Sequence, residues 1–129
     1  MKIAIPSTQG RVFPDCGQSG QFTLVDLEKS TNTVRETTTL TPSPMAPGEL
    51  ADWLVQQGVE WILASGLKRH DRDLLARKGI KVMVGVPSYR VEAIVARFLT
   101  GTLELGPNAC QDEPKILHQL TTQQGRKQP

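Results

Sequence analysis

With 129 residues, the chain has the length of one domain and can bury a core without a structural metal or disulfide. A formal charge of +2, from 15 Lys and Arg against 13 Asp and Glu, argues against a nucleic-acid partner, and so do the few aromatic residues, 5% of the chain, which are not interleaved with the basic ones. No apolar run has the length of a membrane span, and the apolar stretch at Met1-Lys2-Ile3-Ala4-Ile5-Pro6 is too short for a signal peptide, so a cytoplasmic protein with no membrane contact is expected.

Ile3-Ala4-Ile5 reads as a first strand that Pro6 ends, because proline cannot donate to a ladder. Residues 7–20 hold Gly10, Pro14, Gly17 and Gly20 without periodicity, a long loop of the kind that carries function. Phe22 to Leu27 predicts a strand, and the threonine-rich Thr33 to Leu40 pairs back on it as an edge strand. Three prolines follow (Pro42, Pro44, Pro47), the last expected at the first position of a helix carrying Leu50, Trp53 and Leu54 and stopped by Gly58. Trp61-Ile62-Leu63-Ala64 is an uninterrupted apolar run, expected as a parallel strand at the centre of the sheet. It ends at Ser65-Gly66, and a helix over about His70 to Lys78 comes next, with Gly79 as its stop. Ile80 to Val84 is the last strand. Ser88 is expected to cap a helix whose Val91, Ile94, Val95, Phe98 and Leu99 form one apolar stripe, stopped by Gly101. The domain is therefore expected over residues 1–105, with 106–129 a polar tail that is mobile unless it docks on a partner.

The order is strand, strand, strand, helix, strand, helix, strand, helix: an α/β fold with a mixed five-stranded sheet and right-handed crossovers. Ligands collect at the carboxyl ends of parallel strands, where the loops 7–20, 65–70 and 85–88 should converge. Cys16, Cys110 and His70, with Asp15 or Asp112 in support, form the one set from which a metal site can be assembled, since soft thiolates suit iron-sulfur, copper or zinc. No CxxC pair anchors it, and packed free thiols are the plainer reading in a reducing compartment. His118 is a tail residue. Lys68-Arg69-His70 opens a helix, where free N–H groups favour an anion; Ser65, Gly66, Gly17, Gly85 and Ser88 would complete such a rim, while solvated surface cations are the alternative. Trp53 and Trp61 are expected in the core. A two-metal nuclease needs strand carboxylates that Ile3-Ala4-Ile5 and Ile62-Leu63-Ala64 lack, and Asp15 would oppose ionisation of Cys16, so no catalytic residue is assigned.

The opening Met-Lys-Ile-Ala-Ile-Pro, Gly17 spaced before Phe22 and Val25-Asp26, Gln57-Gly58-Val59, Ala64-Ser65-Gly66-Leu67, Lys78-Gly79-Ile80-Lys81-Val82 and Phe98-Leu99-x-Gly101-x-Leu103 are colinear with a known pattern. In order and spacing, Met1 to Cys110 resembles the dinitrogenase iron-molybdenum cofactor biosynthesis family, the NifX/NafY-type domain found in small stand-alone prokaryotic proteins. The resemblance implies a ribonuclease-H-like three-layer fold. It also implies binding or carriage of an iron-sulfur or molybdenum-containing cluster or cofactor precursor without turnover, a cofactor-biosynthesis or metalloenzyme partner, and a monomer or small homo-oligomer. Where the family's loop carries His-Phe-Gly, this chain has Asp15-Cys16-Gly17, so a family member that has lost the metal and acts as an interaction or anion-binding regulatory module is the alternative. A subgroup's Asn-x-Cys is present as Asn108-Ala109-Cys110.

Overall fold

Side chains of Ile3, Ala4 and Ile5 alternate between two faces, and the whole architecture follows from that alternation. In the computed structural model, which describes residues 1–14, 20–43, 46 and 48–110, Ala4 packs in one apolar core and Ile3 and Ile5 in a second. Their strand, β1 (Lys2–Thr8), is the middle member of the sheet. It is followed by β2 (Arg11–Val12), β3 (Phe22–Glu28), β4 (Thr33–Leu40), α1 (Glu49–Gln56), β5 (Trp61–Leu63), α2 (Arg69–Arg77), β6 (Lys81–Met83) and α3 (Val91–Thr100). The main path is β4-β3-β1-β5-β6, with β1, β5 and β6 parallel and β3 and β4 antiparallel additions. Helices α1 and α2 cover the face that carries Ala4, Leu24 and Ile62, and α3 covers the face of Ile3, Ile5, Val25 and Leu63.

These three layers are the expected α/β architecture, with four local corrections. The sheet has six strands, because β2 pairs antiparallel with the end of β1 through Ser7↔Val12 and Thr8↔Arg11. Gln9 and Gly10, both at positive φ, make the tight turn between them. Pro6 does not end β1. The Ser7 amide reaches Gln21 O on the β3 side, so by alternation the nitrogen of Pro6 faces the other side, where pairing with β5 has already stopped at Ala4↔Ile62. No ladder bond is lost there. The centre belongs to β1 rather than to the Trp61 run; β5 lies between β1 and β6, so burial on both faces did not distinguish the middle strand from its neighbour. Finally, Ser88 does not cap α3, whose first turn begins after the extended Arg90 and has no side-chain cap. Pro47 lies outside the described residues.

The stripe on α3 holds as read: Val91, Ile94 and Val95 are buried, and Phe98 stacks edge-on against Trp61 at 5.3 Å. Burying three aliphatic side chains contributes on the order of 5–8 kcal/mol before the entropy of ordering is subtracted. Helices of this length would not persist alone, so packing of these faces holds them. Gly101, at φ 72°, terminates α3 in the left-handed conformation that a residue with a Cβ avoids.

Candidate ligand rim

Parallel strands deliver their loops to one edge, and hydrogen bonds knit three of those loops together. After β1, the Val12 amide donates to Tyr89 O and the Ser88 hydroxyl donates to Val12 O at 2.5 Å, joining the first loop to the third. After β5, Ser65 is buried; its hydroxyl donates to Val86 O at 2.6 Å and its carbonyl accepts from the Gly85 amide at 3.0 Å, joining the second loop to the third. The expected convergence is therefore present among the described parts of all three loops. Between them lies a shallow depression of about 300 Å³ lined by Pro14, Ser65, Gly85, Val86, Pro87, Ser88, Gly106, Pro107 and Ala109.

The last three of those residues come from a segment assigned by sequence to the tail. Residues 106–110 lie across the rim: the Gly106 amide donates to Gly85 O at 2.7 Å, and the Ala109 amide to Ser65 O at 2.9 Å. Asn108 clamps the segment by accepting from the Leu67 amide and donating to Leu67 O, while the same Oδ1 accepts from the Cys110 amide in an Asx turn. Two glycines make the close approach possible. A Cβ on Gly66 would stand 2.7 Å from the Cys110 nitrogen and 2.9 Å from the Ala109 Cβ, and one on Gly85 would overlap the Gly106 carbonyl. Sequence reading singled out both glycines for approach of a ligand; what approaches them in the structure is the chain's own backbone.

Cys110 is buried and engaged in a disulfide. This overturns the expectation of two free thiols. Cys16 lies outside the described residues together with Asp15 and Gly17. The cationic start of α2 is placed differently from Cys110. Lys68, Arg69 and His70 are exposed and do not line the depression, while Arg72 turns its Nε back to Leu67 O at 3.2 Å. Thus Ser65, Gly85 and Ser88 share the depression, Gly66 lies under the strap and Cys110 at the strap's end, and His70 stands apart. Among the described residues no group of three His, Cys, Asp or Glu side chains is close enough to hold a metal ion. Asp112 and His118 lie outside those residues. Asn108 and Gly106 were missed as rim residues; the Asn-x-Cys spacing, which suits an Asx turn, was the signal for Asn108.

The family model for the dinitrogenase iron-molybdenum cofactor matches residues 1–101. The chain belongs to that family. Solved structures share the fold: the crystal structure of the protein PH0822 is 26% identical, with a TM-score of 0.75 over 85% of this chain and 100% of that one. The apo form of the orange protein from Desulfovibrio gigas is 22% identical, with a TM-score of 0.60 over 85% of this chain and 96% of that one, which speaks to fold alone. A Methanocaldococcus jannaschii protein provisionally named a dinitrogenase gives a TM-score of 0.65 at 18% identity, over 84% of this chain and 96% of that one. Among curated proteins there is no significant match. The match to the dinitrogenase cofactor family ends before the strap, so the Asn108 clamp and Cys110 lie beyond the part of the chain that defines membership. No described helix is long and apolar enough to cross a membrane.

Proposed function

We propose that this chain is a non-catalytic cytoplasmic carrier whose cargo is a metal-sulfur cluster or an iron-molybdenum cofactor precursor, held at the rim formed by residues 7–20, 65–70 and 85–88. The observation that carries the reading is the 300 Å³ depression at the carboxyl ends of parallel strands, bordered by glycine backbone and by the Cys110 segment, in a chain of the dinitrogenase cofactor family. A thiolate is the soft ligand that iron, copper or molybdenum sulfides accept. Cys110 and Cys16 would ligate cargo once reduced, with Asp15 in reserve. Ser65, Gly66, Gly17, Gly85 and Ser88 would surround it, and the more distant Lys68, Arg69 and His70 would supply a favourable field. A site with fewer donors than a complete protein-only shell would suit cargo that must leave again, for a cofactor-assembly or metalloenzyme partner. The protein would work as a monomer or small homo-oligomer.

Anaerobic incubation of the dithiol-reduced protein with iron and sulfide, or with thiomolybdate, followed by desalting and metal analysis, tests this. Stoichiometric uptake by the native chain and loss of it in a Cys16→Ala, Cys110→Ala double variant is the expected result. Uptake by neither protein, or equally by both, defeats the thiol-held cargo. A metal-free interaction or anion-binding module is the second reading, favoured by the lack of any three-donor group among the described residues. It predicts phosphate binding that Lys68→Ala, Arg69→Ala weakens, with chelators and both cysteines indifferent.

A further inference from the structure

We propose that β4 is a docking edge for an extended segment of a partner protein, one in which apolar and basic residues alternate. No residue of β4 lines the depression at the rim, so the docking edge is independent of the cargo.

The backbone of β4 supplies the first observation. It ends the sheet, runs for eight residues from Thr33 to Leu40, and is exposed over all but the last of them. Met1 and Leu27 exchange both backbone bonds, so Leu27 turns its N–H and C=O towards β1. By alternation Asp26 and Leu24 turn theirs towards β4, where their register partners are Glu36 and Thr38. Thr37 and Thr39 therefore point N–H and C=O away from the sheet, as an incoming strand requires. Edges of this kind are usually blunted by proline, lysine or a bulge. Here a bulge at Arg35 affects one end, and residues 36–40 hold neither proline nor lysine.

The two faces beside that edge differ in chemistry. Val34 and Thr37 pair with Leu27 and Val25, so they lie on the face of α3, and with Val95 and Leu99 they border an apolar groove of about 420 Å³. Val34 is 47% exposed. Glu36 and Thr38 lie on the opposite face, in a polar cleft of about 230 Å³ shared with Lys2, Asp26 and Gln57. Asp26 faces the Met1 amine at 3.8 Å, whereas Glu36 has no ion pair or hydrogen bond among the described residues. Lys2 is opposite Asp26, hence two strands away from Glu36. A strand added to β4 would send alternate side chains to these two faces, apolar ones over the groove and basic ones beside Glu36. Backbone bonds would give the affinity and the alternation the selectivity.

Titration of the ¹⁵N-labelled full chain with three synthetic peptides tests this: alternating valine and lysine, alternating valine and glutamate, and a valine-lysine peptide with its valines grouped at one end. The alternating valine-lysine peptide should shift the Thr37 and Thr39 amides and bind about fivefold more tightly than the glutamate peptide, the size of one exposed ion pair. The grouped peptide should bind more weakly than the alternating one. Thr37→Pro removes an outward N–H without touching the β3 ladder, and should weaken binding about tenfold while the amides of α1 and α2 keep their native shifts. Glu36→Lys leaves the backbone intact and should reverse the preference, so the proposal is tested even if the proline variant fails to fold. No binding at millimolar peptide, shifts that avoid β4, indifference to the order of valine and lysine, or an unchanged preference in Glu36→Lys overturns the proposal. So does a dimer of the native chain that Thr37→Pro dissolves, since the occupant of the edge would then be a second copy.

Discussion

Substituting Gly66 by alanine isolates the strap from every other feature of the rim. Gly66 is not in the left-handed backbone region, so alanine brings no strain of its own there. It brings a Cβ 2.7 Å from the Cys110 nitrogen and 3.1 Å from the Ala109 carbonyl carbon, both backbone atoms that cannot swing aside. The strap has to lift. Lifting it removes the bonds from Ala109 to Ser65, from Gly106 to Gly85, and the pair between Asn108 and Leu67. At about 1 kcal/mol net for each of these, the loss is bounded near ~4 kcal/mol. Chain entropy regained by the freed strap and the stiffer unfolded chain of an alanine variant offset part of it, leaving roughly 2 kcal/mol. Urea unfolding of the oxidised protein measures this, and amide exchange at Ala109 and Cys110 reports the strap itself. Gly79→Ala is the control: its Cβ would meet nothing within 4 Å, and its φ of 82° costs about 1 kcal/mol of backbone strain without touching the strap. Full exchange protection at Ala109 in Gly66→Ala, with stability within about 0.5 kcal/mol of the native chain, would refute the reasoning about close approach.

Gly85→Ala should be worse than Gly66→Ala, because a Cβ overlapping the Gly106 carbonyl is added to a φ of 79°; a smaller loss in the same urea experiment would contradict this. Ile94→Ala, at a fully buried position on α3, should cost about 2–5 kcal/mol by urea titration while leaving thiomolybdate uptake by the reduced protein within twofold, since Ile94 does not line the depression.

Most of the scaffold could be read from residue pattern. Helical spacing at Leu50 and Leu54 and at Val91, Ile94 and Val95 gave α1 and α3 their buried faces, and Gly58, Gly79 and Gly101 mark stops that all have positive φ. Pro6 misled because a missing N–H matters only on a side that has a ladder partner, and which side that is depends on where β5 ends. Ser88 has the chemistry of a cap, yet its hydroxyl is drawn to Val12 O by a strand two residues long, too short for any periodicity to reveal. The rim was legible as a place because parallel strands must end together. Its contents were not: residues 106–110 look like tail in composition, and their hold on Gly66 and Gly85 depends on backbone atoms that carry no sequence signal. The disulfide of Cys110 belongs to the same class of tertiary fact.

Location of the cargo is the claim on which the rest depends, and amide chemical-shift mapping tests it most directly. Titrating thiomolybdate into the ¹⁵N-labelled, dithiol-reduced chain should move the amides of Ser65, Gly66, Gly85, Ser88, Ala109 and Cys110 while those of β4 stay still. Shifts confined to the apolar groove of about 420 Å³ between β4 and α3, around Val34, Thr37, Val95 and Leu99, or no shifts anywhere, would contradict the account.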